Sequence, residues 1–184
     1  TQELAIKNEI QQMDEMTNDV ENVDIEAFNQ KADMIVTTGD YAVVEQAVKT
    51  YLKESVNYTL EIKALLDDEQ MANIVTADNY QTDAYDFVQT TQYLSDSKAK
   101  LEEAKTKFPE MFTEKKIMSY IDGKIDDEYY IDFYKEVAIG SEAELMPQED
   151  LATINSSLDT VINILNIEEE MINLLKENKG TWTI

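Results

Sequence analysis

The densest group of aromatic side chains lies in residues 120–134, which read YIDGKIDDEYYIDFY. A tyrosine ring has an apolar face and a polar hydroxyl, so a row of tyrosines can stack against a sugar or a peptide. On a helix, Tyr130, Phe133 and Tyr134 would share one face, and Tyr120 precedes them across a turn. These four residues are the candidate ligand-binding residues. The same spacing is also typical of a packed core, and both interpretations stay open.

The same stretch holds several acids, which raises the question of a calcium loop. An EF-hand loop needs oxygen ligands at its positions 1, 3, 5 and 12, with Gly at position 6. Counted from Asp122, position 3 is Lys124 and position 6 is Asp127, so the pattern fails. The residues are better explained as a joint, in which Gly123 ends one helix and Asp126 caps the next. We therefore predict no metal site here and no cofactor.

Several residue types that carry out chemistry are absent. The sequence has no His and no Cys, and every base is a Lys. Without His there is no near-neutral imidazole base, and zinc loses both of its preferred ligands. Acidic clusters at 13–26 and 167–171 could supply a carboxylate pair for acid–base work. With 39 acids, however, close pairs arise by chance, and the helical stripes place no acid inside the fold. We expect solvated surfaces, no catalytic residue and no enzyme activity.

The formal net charge of −24 limits the partners. Nucleic acid is not expected, because its binding depends on the neutralisation of phosphates by basic side chains. Anionic membrane surfaces would repel the chain for the same reason. We expect a protein partner, and the charge favours a basic one. A homodimer stays open, since long amphipathic helices often pair between chains.

Apolar residues recur every three or four positions along most of the chain, which is the pattern of amphipathic helices. Glycines stand where these patterns stop, and Pro109 and Pro147 stand where helices would start. The predicted helices are 3–36, 41–67, 82–107, 110–122, 126–139 and 147–178. The predicted fold class is all-α, an elongated antiparallel helical bundle of three to four long helices with two shorter helices. We expect one domain over residues 1–184.

Four segments occur in the order YAVVEQAVKTYLKE, LLDDEQMANIVTADNYQTD, DDEYYIDFYKE and LLKENKGTW. This order resembles an uncharacterised group of membrane-anchored helical ectodomain proteins of low-GC Gram-positive bacteria. The resemblance covers most of residues 41–182 and carries over no catalytic residue. It implies an extracytoplasmic location and a membrane tether through a segment outside this chain. It also implies that residues 1–184 are a fragment whose chain continues at both ends. A cytoplasmic location is the alternative.

Two functions remain as expectations. The first is a non-enzymatic extracytoplasmic helical domain that serves as a binding or spacer module tethered at the cell envelope. An apolar patch left on its surface would mark the docking face. The alternative is a small-ligand-binding or sensor domain, with a pocket between helices lined by Tyr120, Tyr130 or Tyr134. That alternative requires tyrosine hydroxyls without partners, and a filled core at these rings would count against it.

Overall fold

A computed structural model describes residues 1–19, 21–83, 85–140 and 147–182, and these residues form helices and no strand. The all-α helical fold class is confirmed. The helices are α1 (Gln2–Thr17), α2 (Ile25–Asp33), α3 (Asp40–Leu66), α4 (Glu69–Asn73), α5 (Ala77–Thr82), α6 (Val88–Met111), α7 (Glu114–Met118), α8 (Glu128–Ile139) and α9 (Gln148–Glu177). Within the described ranges, none of these helices is both long enough and apolar enough to cross a membrane.

The chain divides into two compact units. Unit 1 comprises Thr1–Leu60 and Phe108–Pro147, and unit 2 comprises Glu61–Lys107 and Gln148–Ile184. Each unit has its own set of buried apolar side chains. A single domain over 1–184 stays a prediction, and the expected continuation past Ile184 lies outside the described residues.

The core of unit 1 forms around the first half of α3. Val44, Val48 and Tyr51 are spaced four and three residues apart, so they lie on one side of that helix. They are buried against side chains of α1, α7 and α8 and of the turn after α7, namely Ile6, Ile117, Tyr120, Ile121, Phe133 and Tyr134. A smaller cluster of Met13, Phe28 and Ala32 packs against Leu52 and Val56, farther along α3.

The core of unit 2 follows a seven-residue spacing on two helices. Phe87, Leu94 and Leu101 are buried along α6 and the residue before it, and Leu158, Leu165 and Ile172 are buried along α9. Salt bridges join the same two helices, with Lys98 Nζ at 2.7 Å from Glu169 and Lys105 Nζ at 2.5 Å from Asp159. Beyond the end of α9, the Trp182 ring stacks on Phe87 and also contacts Tyr80 and Tyr85.

Three expected helices differ in the structure. The helix expected over 82–107 begins only at Val88 and runs to Met111 as α6, and the other two are those over 3–36 and 110–122. The single helix over 3–36 is wrong, because α1 ends at Thr17 and α2 begins at Ile25. Asp24 caps α2 by accepting a hydrogen bond from the Ala27 backbone N–H at 3.0 Å, and an N-cap residue has non-helical dihedrals. Pro109 does not start a helix but lies near the end of α6. Proline lacks an N–H and therefore removes one helical hydrogen bond there. The loss is limited to that one bond, and the final turn of α6 still forms.

The joint between α7 and α8 is present with a shifted cap. Gly123 has a φ of +69°, a left-handed conformation that side chains with a Cβ rarely adopt. The cap of α8 is Asp127, which accepts a hydrogen bond from the Tyr129 N–H at 3.0 Å, and the expected cap Asp126 is wrong by one residue. Gly140, with a φ of +84°, ends α8 as the sequence indicates.

Candidate functional site

Three of the four candidate aromatic residues lie in the core of unit 1. Tyr120, Phe133 and Tyr134 have relative exposures of 8%, 5% and 0%. The Tyr134 hydroxyl donates a hydrogen bond to the Ile117 carbonyl oxygen at 2.7 Å, and the Tyr120 hydroxyl donates one to the Glu54 carboxylate. Burial raises the pKa of both tyrosines, which are therefore neutral donors at physiological pH. Both buried hydroxyls have the partners that a filled core requires.

Tyr130 is half-buried at the margin of the same core. Its ring lies edge-on to Tyr41, with the centroids 5.0 Å apart, and the Tyr41 ring makes a second edge contact with Phe133 at 6.1 Å. Such pairs stabilise packing beyond the area that they bury. The ligand-binding role of these aromatic residues stays a prediction, and their contacts are those of packing.

Unit 1 also contains a buried network of charged side chains. The Lys49 side chain has no exposure, and its ammonium nitrogen lies 2.6 Å from Glu9 Oε2 and 2.7 Å from Glu45 Oε1. The third hydrogen bond of the ammonium goes to the Met34 carbonyl oxygen at 2.6 Å. Glu9 is also paired with Lys31 at 3.0 Å. An ammonium has three donors, so every donor of Lys49 has an acceptor.

Glu45 holds the extended segment before α3. Its carboxylate accepts hydrogen bonds from the Val36 N–H at 3.1 Å, from the Thr37 N–H at 2.9 Å and from the Thr37 hydroxyl at 2.6 Å. Burial raises the pKa of Glu45, but the hydrogen bonds from Lys49, Thr37 and the backbone outweigh it and hold the pKa below the usual range. The same balance, again set by lysines, lowers the pKa of Glu9.

The expectation that no acid points inward is therefore wrong. Glu45 and Lys49 are spaced i,i+4 beside the buried Val44 and Val48, a local pattern that could have indicated a buried ion pair. A carboxylate pair used for acid–base catalysis needs pKa values that its surroundings push apart. Here the pKa values of Glu9 and Glu45 move in the same direction. The contacts of this network hold residues 34–37 against α3, and Lys49 joins α3 to Glu9 of α1.

Unit 2 has a buried acid whose pKa is shifted in the opposite direction, upwards. Glu168 on α9 is 8% exposed, and in the part of the chain that the structure describes its Oε2 has no hydrogen-bond partner. Burial raises the pKa of this carboxyl. Nearby, burial and a hydrogen bond to Asp68 at 2.7 Å raise the pKa of Tyr93 to about 12, and the charge of Glu168 adds to the shift.

The outer side of α9 carries an apolar stripe, which we call the α9 seam. Its members are Ile164, Ile167, Met171 and Leu174, whose relative exposures are 48%, 58%, 43% and 61%. Successive members are three, four and three residues apart, which is the a and d spacing of a coiled-coil helix. The buried residues of α9 occupy the neighbouring face, so α9 has two apolar faces and only one of them packs in unit 2 among the described residues.

One flank of the α9 seam is acidic. Asn163, Glu170 and Glu177 repeat every seven residues beside the seam, and all three are exposed. This spacing places them in the g positions of the heptad, where side chains reach a partner helix. Neither glutamate forms an ion pair among the described residues of unit 2. The α9 seam therefore combines an apolar stripe with an unpaired acidic edge.

Unit 1 contains an apolar groove of about 720 Å³ between α1, α2, α3 and α8. Met13 and Phe28, both buried, form part of its lining, together with the half-buried Ile10, Leu52, Val56 and Val137. Polar residues at the groove are Lys7, Gln11, Asp14, Thr17 and Glu136. None of the four candidate aromatic residues lines this groove. Tyr120, Phe133 and Tyr134 belong to the core of unit 1 instead, and Tyr130 packs against that core.

Among the described residues, no group of three or more acids is arranged to hold a metal ion. Comparison with family models, with curated proteins and with solved structures finds no match for the chain.

Proposed function

We propose that the chain is a non-enzymatic binding module of the cell envelope that docks a basic amphipathic helix of a protein partner on the α9 seam. The observation that carries the proposal is the exposed stripe of Ile164, Ile167, Met171 and Leu174. Exposed apolar side chains that form a continuous patch typically mark an interaction site. The extracytoplasmic, tethered setting comes from the resemblance described above.

The spacing of the α9 seam favours a helix as the occupant. Side chains at alternating intervals of three and four residues form holes that accept the knobs of a second helix. Full burial of one Ile, Leu or Met side chain contributes about 1.5–3 kcal/mol. The four side chains of the seam are about half exposed, so a docked helix would gain roughly half of that from each of them.

The charge favours a basic partner over a second copy of this chain. Glu170 and Glu177 flank the seam, and the whole chain has a net charge of −24. Two copies would bring acidic edges and acidic surfaces together, and like charges across an interface oppose association. Lysine or arginine side chains at the flanks of a partner helix would instead pair with Glu170 and Glu177 and increase the rate of encounter.

The test uses a designed helical peptide of about four heptads, with Leu and Ile at its a and d positions and Lys at e and g. Its matched control has Glu at e and g. We expect the Lys peptide to bind at physiological salt and the Glu peptide not to bind. The double variant I167Q/M171Q should weaken binding by at least about tenfold, because it removes two seam side chains. The control variant V88Q removes another exposed apolar side chain of unit 2 and should leave binding unchanged.

Two results would overturn the proposal. If the Lys peptide binds wild type and I167Q/M171Q equally, the attraction is only that of a basic peptide for an acidic surface. If sedimentation shows a dimer that I167Q/M171Q dissociates and V88Q does not, a second copy of the chain occupies the α9 seam.

A further inference from the structure

We infer that the groove of unit 1 binds a single-chain amphiphile with a cationic head group, such as a long-chain alkylamine. This inference concerns unit 1 alone and does not depend on the role of the α9 seam. It rests on the size of the groove, on its lining and on the charges at its edge.

The size suits a small molecule. Ligand pockets in proteins are usually about 300–1,000 Å³, and the groove, at about 720 Å³, lies within that range. Four helices line it, with Ile10 and Met13 from α1, Phe28 from α2, Leu52 from α3 and Val137 from α8. A groove lined by several helices can hold a flexible chain along its length.

The lining favours hydrocarbon over water. Leu52 and Val56 lie one helical turn apart on α3, and with Met13 and Phe28 they form a continuous apolar surface. A water molecule is held stably only where two to four polar groups surround it, and these four side chains have no polar group. An alkyl chain that covers these side chains would remove apolar area from water, which is the main source of affinity for such ligands.

The edge of the groove selects the head group. Lys7 is the basic residue of its lining, and the Lys7 ammonium already lies 2.6 Å from Glu136 Oε1. The Asp14 carboxylate, on the same side of α1 as Ile10, has no ion-pair partner in the part of the chain that the structure describes. The edge therefore carries an unpaired negative charge, which attracts an ammonium and repels a carboxylate or a phosphate.

Dodecylamine and dodecanoate provide a matched pair of probes, because they share a tail and differ in the charge of the head. Both are titrated calorimetrically below their micellar concentrations at physiological salt. We expect one dodecylamine to bind per chain and dodecanoate to bind at least about tenfold more weakly. D14N should reduce this preference severalfold, whereas D132N, which removes an exposed charge of unit 1 that is not part of the groove lining, should leave it unchanged.

V137W tests whether the alkyl tail of the ligand lies in the groove, because the larger indole side chain would occupy that space. We expect it to abolish dodecylamine binding, with an unchanged thermal melt as the check on folding. If V137W does not fold, D14N still decides the question, because Asp14 lies at the edge of the groove and its substitution leaves the apolar lining intact.

Three results would overturn the inference. Equal affinity for dodecylamine and dodecanoate would show that the charge of Asp14 does not select the head group. Binding of many amines per chain, unaffected by V137W and D14N, would indicate adsorption to an acidic surface. Absence of amine binding, together with binding of the Lys peptide that V137W abolishes, would assign the groove to a partner helix.

Discussion

At the scale of single residues, the Lys49 ammonium pairs with two carboxylates at once, the buried Glu45 and the half-buried Glu9. Glu9 and Glu45 lie 2.6 and 2.7 Å from its nitrogen, and the Lys49 side chain has no exposure to water. Charges inside a protein are tolerated when they are paired and fully hydrogen-bonded, and removal of one partner leaves the others uncompensated. The stability of unit 1 should therefore depend on this lysine far more than on the lysines of its surface.

K49M should lower the free energy of unfolding by about 3–5 kcal/mol, because Met keeps the length of the side chain but leaves Glu9 and Glu45 without their shared cation. The matched control is K53M. Lys53 pairs with Asp33 at 2.7 Å in a partly exposed position, and the loss of such a pair costs about 0–1 kcal/mol. Urea unfolding of both variants, followed by circular dichroism, measures the difference. Equal losses in K49M and K53M would show that the buried network contributes no more than a surface pair.

For Glu168, the charged form is expected to destabilise the fold, whereas the charged forms of Lys49, Glu9 and Glu45 stabilise it. Burial raises its pKa above the ordinary value of 4.5, so the folded chain holds this proton more tightly than the unfolded chain. The stability that comes from the neutral acid is fully present below the unfolded pKa and is lost as the pH rises through the folded pKa. Above its raised pKa, the ionised Glu168 is therefore a destabilising buried charge.

E168Q should raise the urea midpoint at about pH 8, because the amide cannot ionise, and this gain should shrink as the pH is lowered to about 5. That range stays above the isoelectric point of about 4.1, where the chain would precipitate. The comparison of each variant with the parent at the same pH cancels the other carboxyls, whose effects are common to both. E170Q, which changes an exposed acid two residues away, serves as the control and should show no such trend. A gain in E168Q that is the same at both pH values would contradict the raised pKa.

At the scale of elements, the helices are predictable where the apolar stripe and its end signals agree. For α3, the repeat of Val44, Val48 and Tyr51 and the position of Gly39 place the helix within one residue of the observed Asp40–Leu66. The break between α1 and α2 is not predictable from periodicity, because apolar residues keep the helical spacing across it. There, the Asp24 cap and its hydrogen bond to Ala27 decide the local structure.

The α9 seam shows a second limit of periodicity. Leu158, Leu165 and Ile172 are buried in unit 2. The seam residues beside them are as apolar and follow an equally regular spacing, so the sequence does not say which stripe packs inside. The packing of α6 against α9 decides which stripe is buried. The docking face of the proposed function can therefore be identified only from the structure. The groove of unit 1 is hidden in the same way, since its lining comes from four helices far apart in sequence.

At the scale of the whole molecule, 39 acids against 15 bases make like-charge repulsion a general destabilising force. The Debye length falls from about 30 Å at 10 mM salt to about 8 Å at 150 mM, so salt screens this repulsion. Salt also weakens attractive pairs such as Lys107–Glu103, but exposed pairs contribute little. Repulsion among the excess acids should therefore be the larger of the two effects.

The urea midpoint should rise when NaCl is increased from about 10 to about 150 mM, because screened repulsion favours the compact chain. Choline chloride at the same ionic strength should give the same rise, which separates screening from the binding of a particular cation. Over the same range the affinity for the Lys peptide should fall, since its attraction to Glu170 and Glu177 is screened as well. Folding and docking would then respond to salt with opposite signs. A midpoint that falls with salt would show that attractive pairs outweigh the repulsion, and that the excess of acids does not limit stability.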